Sequence, residues 1–117
     1  MDKIEAVIIE YLNRSDVELD AQAFGEIPEK APDEFYVVEL TGGGQTDHIN
    51  QSTIAIKSHA KSRARAADLA YDVDNVMINN LPELDYVSGV KRNTVANFTD
   101  LATKGYRYQG VYVVTHY

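Results

Sequence analysis

Two short stretches of this sequence hold residue types that could do chemistry. The first is a glycine-rich run that precedes Gln45 and consists of Gly42, Gly43 and Gly44. A phosphate-binding loop needs a lysine followed by Ser or Thr where a helix begins, whereas these glycines lead into a second strand pattern. Because residues without a Cβ reverse the chain at little steric cost, the run predicts a hairpin turn and not a phosphate site.

The second stretch places Asp47 and His48 close to Ser52. An acid, a histidine and a serine can form a nucleophilic site when a rigid element holds them in place. Asp47 and His48 instead lie in the polar tip of the predicted hairpin, residues 42–50, which we expect to be flexible in the free subunit. The sequence therefore predicts no catalytic residue.

Metal and cofactor sites are not expected either. No two of the three histidines stand at the spacing that places two ligands on one helical face beside a carboxylate, and we interpret them as polar surface residues: His48, His59 and His116. The chain has no cysteine, which excludes disulfides, thiolate zinc sites and cysteine nucleophiles.

The start of the predicted long helix is basic. On the predicted polar face, Arg63 and Arg65 come before Asp68, Asp72 and Asp74, an order opposite to the one that the helix dipole favours. Two interpretations follow. The helix has a solvated face with local ion pairs, or the two arginines contact a partner.

Acidic residues crowd the segment from Asp16 to Glu39, and the formal net charge is −7. This segment is either a solvated edge or an acidic surface that faces a basic neighbour or passing DNA. The net charge argues against a protein whose main task is to grip nucleic acid by its phosphates.

Elements that would position these residues follow from periodicity. Aromatic and β-branched runs predict strands, with alternate residues from Ser52 to Ser58, and from Tyr106 to His116, on one face. Apolar residues at spacings of three and four predict helices, with one apolar stripe from Ile4 to Leu12 and another from Ala66 to Met77. The expected elements are a helix at 2–13, a strand in the second half of 17–27, strands at 35–41 and 52–58, a helix ending at 79–82, a strand kinked near Gly89, and a closing strand at 106–117. The order predicts an α+β fold: a mainly antiparallel sheet with both helices on one face.

Length and hydropathy complete the general picture. The 117 residues predict a single domain, 1–117, with a core large enough to need no metal or disulfide. No apolar run reaches membrane-spanning length and no charged-then-apolar leader is visible, so we expect a soluble chain that is made and used in a cytoplasm.

The arrangement as a whole resembles the tail terminator (tail completion) proteins of long-tailed bacteriophages. The resemblance rests on the order of elements: a short helix, a strand ending near a proline, the run from Phe35 to Gly44, the strand through Ile54–Ile56, the helix start Ser62–Ala70, and a closing strand with Tyr106-Arg107-Tyr108. It covers most of the chain and includes no catalytic signature.

The resemblance implies a structural protein and not an enzyme. Such subunits form a ring, expected to be a homohexamer, at the head-proximal end of the tail in the virion, and they assemble in the bacterial cytoplasm. The ring stops polymerisation of the tail tube protein and offers a surface to a neck or head-completion protein. DNA passes through its channel without specific binding, and no membrane is involved.

Matching positions in this sequence give the expected interface. The tip from Gly42 to Asn50 matches a hairpin loop that becomes ordered on assembly, with Gln45, Asp47 and His48 in it. Arg63 and Arg65 match the basic helix start and are expected to contact the neighbouring subunit. Two alternatives remain: another neck component, such as a head-completion or head–tail joining protein, or a small cytoplasmic ligand-binding domain or enzyme.

Overall fold

The computed structural model describes residues 3–46, 49–100, 102 and 105–117. In this part of the chain the elements are helices α1 (Lys3–Leu12) and α2 (Arg63–Asn79), strands β1 (Gln22–Phe24), β2 (Phe35–Thr46), β3 (Ile49–His59), β4 (Val87–Asn97) and β5 (Arg107–His116), and a short 3-10 turn at Leu81–Glu83. The predicted α+β fold is confirmed. No helix in the described residues is long and apolar enough to cross a membrane.

The strands form one mixed sheet in the order β1-β2-β3-β5-β4. The pairings β2–β3, β3–β5 and β4–β5 are antiparallel, and β1 pairs parallel with the beginning of β2. The expectation of a mainly antiparallel sheet is therefore confirmed, and the parallel edge strand is an addition to it.

Both helices pack on the same face of the sheet. The predicted stripe of α1, from Ile4 to Leu12, is buried, and so is the predicted stripe of α2, from Ala66 to Met77. These stripes meet the inward-facing side chains of the three long central strands, which alternate along each strand as the pleat requires: Tyr36, Val38, Ile54, Ile56, Tyr112 and Val114. The hydrophobic core thus lies between the helices and one face of the sheet.

The predicted turn at the glycine run is wrong. Gly42, Gly43 and Gly44 lie inside β2 and pair with Thr53, Ser52 and Gln51 of β3. None of these three glycines has a positive φ, which agrees with an extended chain that does not reverse here. Glycine weakens a strand and often marks a bulge, and a bulge at Thr41 lies beside this run. The pairing of β2 with β3 continues to Thr46 and Ile49, so the paired part of the hairpin is longer than expected.

Bulges interrupt the regular pairing of β2 and of β4. In β2 the pairing shifts between Leu40 and Gly42, which leaves Thr41 as an extra residue. In β4 it shifts at two places, one of them between Val87 and Gly89, so the kink predicted near Gly89 is confirmed. Each bulge bends its strand and increases its local twist.

Candidate functional site

The start of α2 separates the two arginines that were predicted to act together. Ser62 caps the helix by accepting a hydrogen bond from the Arg65 N–H, as serine does at many helix starts. The Arg63 side chain is exposed and has no ion-pair partner among the described residues. Arg65 turns back toward the chain that precedes β2.

Arg65 already has partners inside its own chain. Its Nε lies 2.7 Å from one carboxylate oxygen of Glu34, and its Nη2 lies 2.9 Å from the other. Asp20 and Asp68 each lie 3.7 Å from the same guanidinium. We call these four residues the Arg65 clamp. An interface role for Arg63 and Arg65 stays a prediction, but Arg65 also holds parts of its own chain together.

Electrostatics within the Arg65 clamp follow from this geometry. The hydrogen bond from Arg65 lowers the pKa of the Glu34 carboxyl, although partial burial opposes that effect. The bidentate bond to Glu34 likewise raises the pKa of the Arg65 guanidinium. Both groups are therefore ionised at neutral pH, and they tie the start of α2 to the chain just before β2.

A second arginine joins α2 to the opposite edge of the sheet. In Arg92 of β4, Nε and Nη2 donate to the two carboxylate oxygens of Asp74 in α2, at 2.8 Å and 2.6 Å. The hydroxyl of Tyr112 donates to the same carboxylate at 2.9 Å. We call these three residues the Arg92 clamp. Burial raises the pKa of Asp74, but the bonds from Arg92 and Tyr112 outweigh it and hold that pKa below its ordinary value.

Asp74 was expected on the solvated face of the helix, and that expectation is wrong. Only 8% of the residue is exposed. Its position on the helix could have shown this, because Asp74 follows Ala70 by four residues and precedes Met77 by three, and both are buried. A polar residue on an apolar helical face needs a partner, and Arg92 and Tyr112 supply it.

The glycine run and the base of the hairpin border a surface pocket. Its volume is about 380 Å³, and its lining comprises Leu40, Gly43, Gly44, Gln45, Asn50, Ser52, Tyr86 and His116. Gly43 lies opposite Ser52 in the ladder, and a Cβ at Gly43 would come within 3.2 Å of the Gln51 carbonyl oxygen. The absence of a side chain at Gly43 keeps the pocket open above Ser52.

Inside this pocket Ser52 forms a pair with a histidine that is distant in the sequence. Its hydroxyl lies 2.8 Å from Nε2 of His116. The expectation that His116 is a surface residue is wrong, since it is 5% exposed and its ring packs 5.3 Å from that of Tyr86. No local pattern indicates this pair, because its members lie 64 positions apart.

A hydrogen-bonded serine and histidine could provide a nucleophile and its base. The other ring nitrogen of His116 lies 3.4 Å from a main-chain oxygen of Tyr117. This contact is long for a hydrogen bond, so it orients the imidazole less firmly than the hydrogen-bonded carboxylate of a catalytic triad does. The pair therefore holds the hairpin base to β5 and is poorly equipped for acyl transfer.

The remaining predicted site residues are placed as follows. Gln45 pairs with Asn50 near the end of the hairpin and is exposed. Asp47 and His48 lie outside the described residues. His59 is half-buried at the end of β3, where its ring stacks on Phe35 with centroids 4.5 Å apart, so the expectation that it is a surface residue at the helix start is wrong. The described residues contain no group of three or more side chains that could hold a metal ion.

Comparisons with known proteins add no relative. No protein-family model matches the chain, and no curated protein matches it. The function is therefore argued from the chain's own surfaces and from the order of its elements.

Proposed function

We propose that this protein is a structural subunit of a bacteriophage tail. It caps the tail tube as a ring, stops polymerisation of the tail tube protein and presents the surface to which the head attaches through a neck protein. Its place is the head-proximal end of the tail in the virion, and DNA passes through the ring without specific binding. The order of elements that the chain shares with tail terminator proteins supports the tail assignment.

The observation that carries the proposal is the uncovered face of the sheet. Both described helices pack on the opposite face. On the uncovered face no described helix lies above Val111 and Val113, which are partly exposed, or above Val37 and Ala55, which are already buried within the chain. Partly exposed apolar side chains on such a face support contact with another chain, as expected of a ring subunit on a tube.

The proposal makes no use of an active site. The Ser52–His116 pair has a long contact of 3.4 Å with a main-chain oxygen where a hydrolase has a hydrogen-bonded side-chain carboxylate, and the two arginine clamps are ion pairs within the chain. The residues described offer surfaces to partners more clearly than they offer a reaction centre.

Deletion of the gene in the phage that encodes it tests the proposal. Negative-stain electron microscopy of the lysate should show overlong tails without heads, because nothing stops the growth of the tube. Addition of the purified protein during assembly should restore the normal length. Tails of normal length without heads would assign the protein to the neck instead, and normal virions would overturn the proposal.

A second candidate is a small ligand-binding domain, which the pocket around Ser52 and His116 favours. Substitution of His116 by Asn separates the two. A tail component should keep its assembly activity as long as the variant folds, whereas a binding domain should lose ligand-induced changes in the NMR signals of residues that line the pocket, measured with a library of small polar compounds.

A further inference from the structure

One edge of the sheet is open along most of β2. Strand β1 pairs only with Phe35–Val37 of β2, so the stretch from Leu40 to Thr46 has no strand on its outer side among the described residues. The Ala60 N–H donates to the Tyr106 carbonyl oxygen at 3.1 Å. This bond shows that the backbone of Ala60 faces β5. Because residues along an antiparallel strand face its two neighbours alternately, the bond also determines which residues of β3 face β2, and therefore which residues of β2 bond to β3.

The alternation leaves backbone donors directed outward. Counting along β3 from Ala60, the residues Thr53, Gln51 and Ile49 face β2 and bond Gly42, Gly44 and Thr46. The N–H groups of the β2 residues that lie opposite Ile54, Ser52 and Asn50 point away from β3: Leu40, Gly43 and Gln45. These residues are exposed or half-exposed, so this edge can accept another strand.

The other edge of the sheet is β4. The Phe98 N–H donates to the Arg107 carbonyl oxygen at 2.8 Å. By the same alternation Ala96 and Thr94 face β5, and the N–H groups of Val95 and Asn97 point outward. No described strand pairs with β4 on that side. The sheet therefore has open backbone edges at both of its ends.

Direction and charge make the two edges complementary. Successive strands in β2-β3-β5-β4 alternate in direction, so β4 beside β2 of a second copy would continue the antiparallel sheet with the helices on the same face. Strand β4 contains no acidic residue, and its exposed Lys91 has no ion-pair partner among the described residues, whereas the exposed Glu39 lies in β2 with Lys57 3.5 Å away. Arg92 and Glu34 are already paired within the chain. Pairing of β4 with another β4 would bring the like charges of two Lys91 side chains toward each other.

We propose that copies of this chain join edge to edge, with β4 of one copy against the Leu40–Thr46 edge of β2 in the next. Such a contact is heterologous, because it joins two different patches, and heterologous contacts close into rings when the rotation between copies permits. The inference rests on the proposed function only in expecting that the assembly closes as a ring. The contact itself needs no phage component.

Thiol cross-linking tests this contact, since the natural chain has no cysteine. Gly42→Cys and Thr94→Cys place thiols on the same face of the two edges, and a Cβ at Gly42 meets no atom within 4 Å. A short bis-maleimide applied to the concentrated double variant should give covalent species larger than a dimer. Mixed single variants should give dimers only, and neither single variant should cross-link to itself. Tyr71→Cys, exposed on α2, is the control for random collisions.

Two cross-linking results would overturn the inference. Self-linking of either single variant would mean that the contact is two-fold and joins like edges. Failure of the double variant to exceed the Tyr71→Cys control, under conditions where light scattering shows oligomers, would mean that another surface joins the copies. If the concentrated protein forms neither oligomers nor cross-links, the inference is wrong as well.

A backbone variant gives an independent reading. Gln45→Pro removes an N–H that points away from β3, so it should keep the β2–β3 ladder. Gln45→Ala removes the same side chain and keeps the N–H. We expect the proline variant to reduce the cross-linked fraction at least several-fold and the alanine variant to leave it unchanged. An equal effect of both substitutions would contradict pairing at this edge.

This inference and the proposed function can fail separately. Cross-links between the two edges together with normal tails after gene deletion would retain the edge contact and remove the tail function. Overlong tails together with no edge cross-links would retain the function and assign the ring contact to another surface.

Discussion

The two arginine clamps hold opposite edges of the same sheet to the same helix, and they differ in burial. In the Arg92 clamp the carboxylate of Asp74 is almost fully buried, and it accepts from Tyr112 as well as from Arg92. In the Arg65 clamp every carboxylate is at least partly exposed to solvent. Since water screens exposed ion pairs, the β4 edge is fixed more firmly than the chain that leads into β2.

The difference matters for assembly by the edges of the sheet. A rigid edge can act as a template for pairing, whereas a more loosely held edge can adjust to it. The β4 edge has the buried clamp and two bulges, and the β2 edge has three glycines and an exposed clamp. We therefore expect β4 to change little on assembly and β2 to become more ordered.

The largest expected effect is that of Asp74→Ala. The substitution leaves the hydroxyl of Tyr112 buried without its acceptor and removes the anchor of β4. Loss of one member of such a network should lower the free energy of unfolding by about 3 kcal/mol, measured by urea denaturation. Asp72→Ala, at an exposed position on the same helix, should change it little. Equal effects of the two would contradict the assignment of Asp74 to the core.

Tyr112→Phe tests a smaller part of the same clamp. It removes one hydrogen bond to a charged group and preserves the ring in the core. We expect a loss of about 2 kcal/mol from the same denaturation experiment. Tyr108→Phe, on a half-exposed residue of the same strand, is the matched control. A loss at position 108 as large as that at 112 would mean that the Tyr112 hydroxyl has no special role.

Acid should weaken the buried clamp in a defined direction. The pKa of Asp74 is lower in the folded protein than its ordinary value of about 3.9, so the unfolded chain binds its proton first. The stabilisation is therefore complete well above pH 4 and is lost as the pH falls through the folded pKa. Thermal unfolding measured between about pH 6 and pH 3 should show a shallower decline in Asp74→Asn than in the natural protein. An identical pH profile would contradict the ionised clamp.

The smallest expected effect on stability is that of Arg65→Ala. The carboxylates that pair with Arg65 are exposed to solvent in part or in full, so the melting temperature of the variant should lie less than about 4 °C below that of the natural protein. Arg63→Ala should leave the melting temperature unchanged, because that side chain has no ion-pair partner in the described part of the chain. A larger loss at Arg65 than at Asp74 would reverse the ranking of the two edges.

Arg63 also provides a cleaner test of the predicted subunit contact than Arg65 does. Arg63→Glu reverses an exposed charge without breaking a clamp, and we expect it to prevent ring assembly while circular dichroism stays unchanged. Unchanged assembly, scored by negative-stain electron microscopy, would remove Arg63 from the interface. Arg65→Glu would disturb both the fold and the contact, and its result alone could not separate them.

Much of the fold could be predicted because it depends on local patterns. The stripes of α1 and α2 and the alternation along β3 and β5 are periodicities that burial of one face imposes, and each is found in the structure. The glycine run was misread because glycine permits a turn without requiring one. The pairing of β2 with β3 supplied the conformation that the local sequence left undetermined.

The candidate sites were less predictable, since they depend on contacts between distant parts of the chain. Arg65 finds Glu34 across 31 residues, and Tyr112 finds Asp74 across 38. Separations of this size along the sequence do not follow from the periodicity of one helix or one strand. Only the burial of Asp74 had a local sign, its place on the apolar face of α2.

Electron cryo-microscopy of the protein mixed with purified tail tubes of the phage that the proposed function implies tests the central claim most directly. The account predicts a closed ring in which β4 of each subunit lies beside the Leu40–Thr46 edge of β2 in the next, as one continuous antiparallel sheet. Tube ends without a ring, or a ring whose sheet edges stay exposed to solvent, would contradict it.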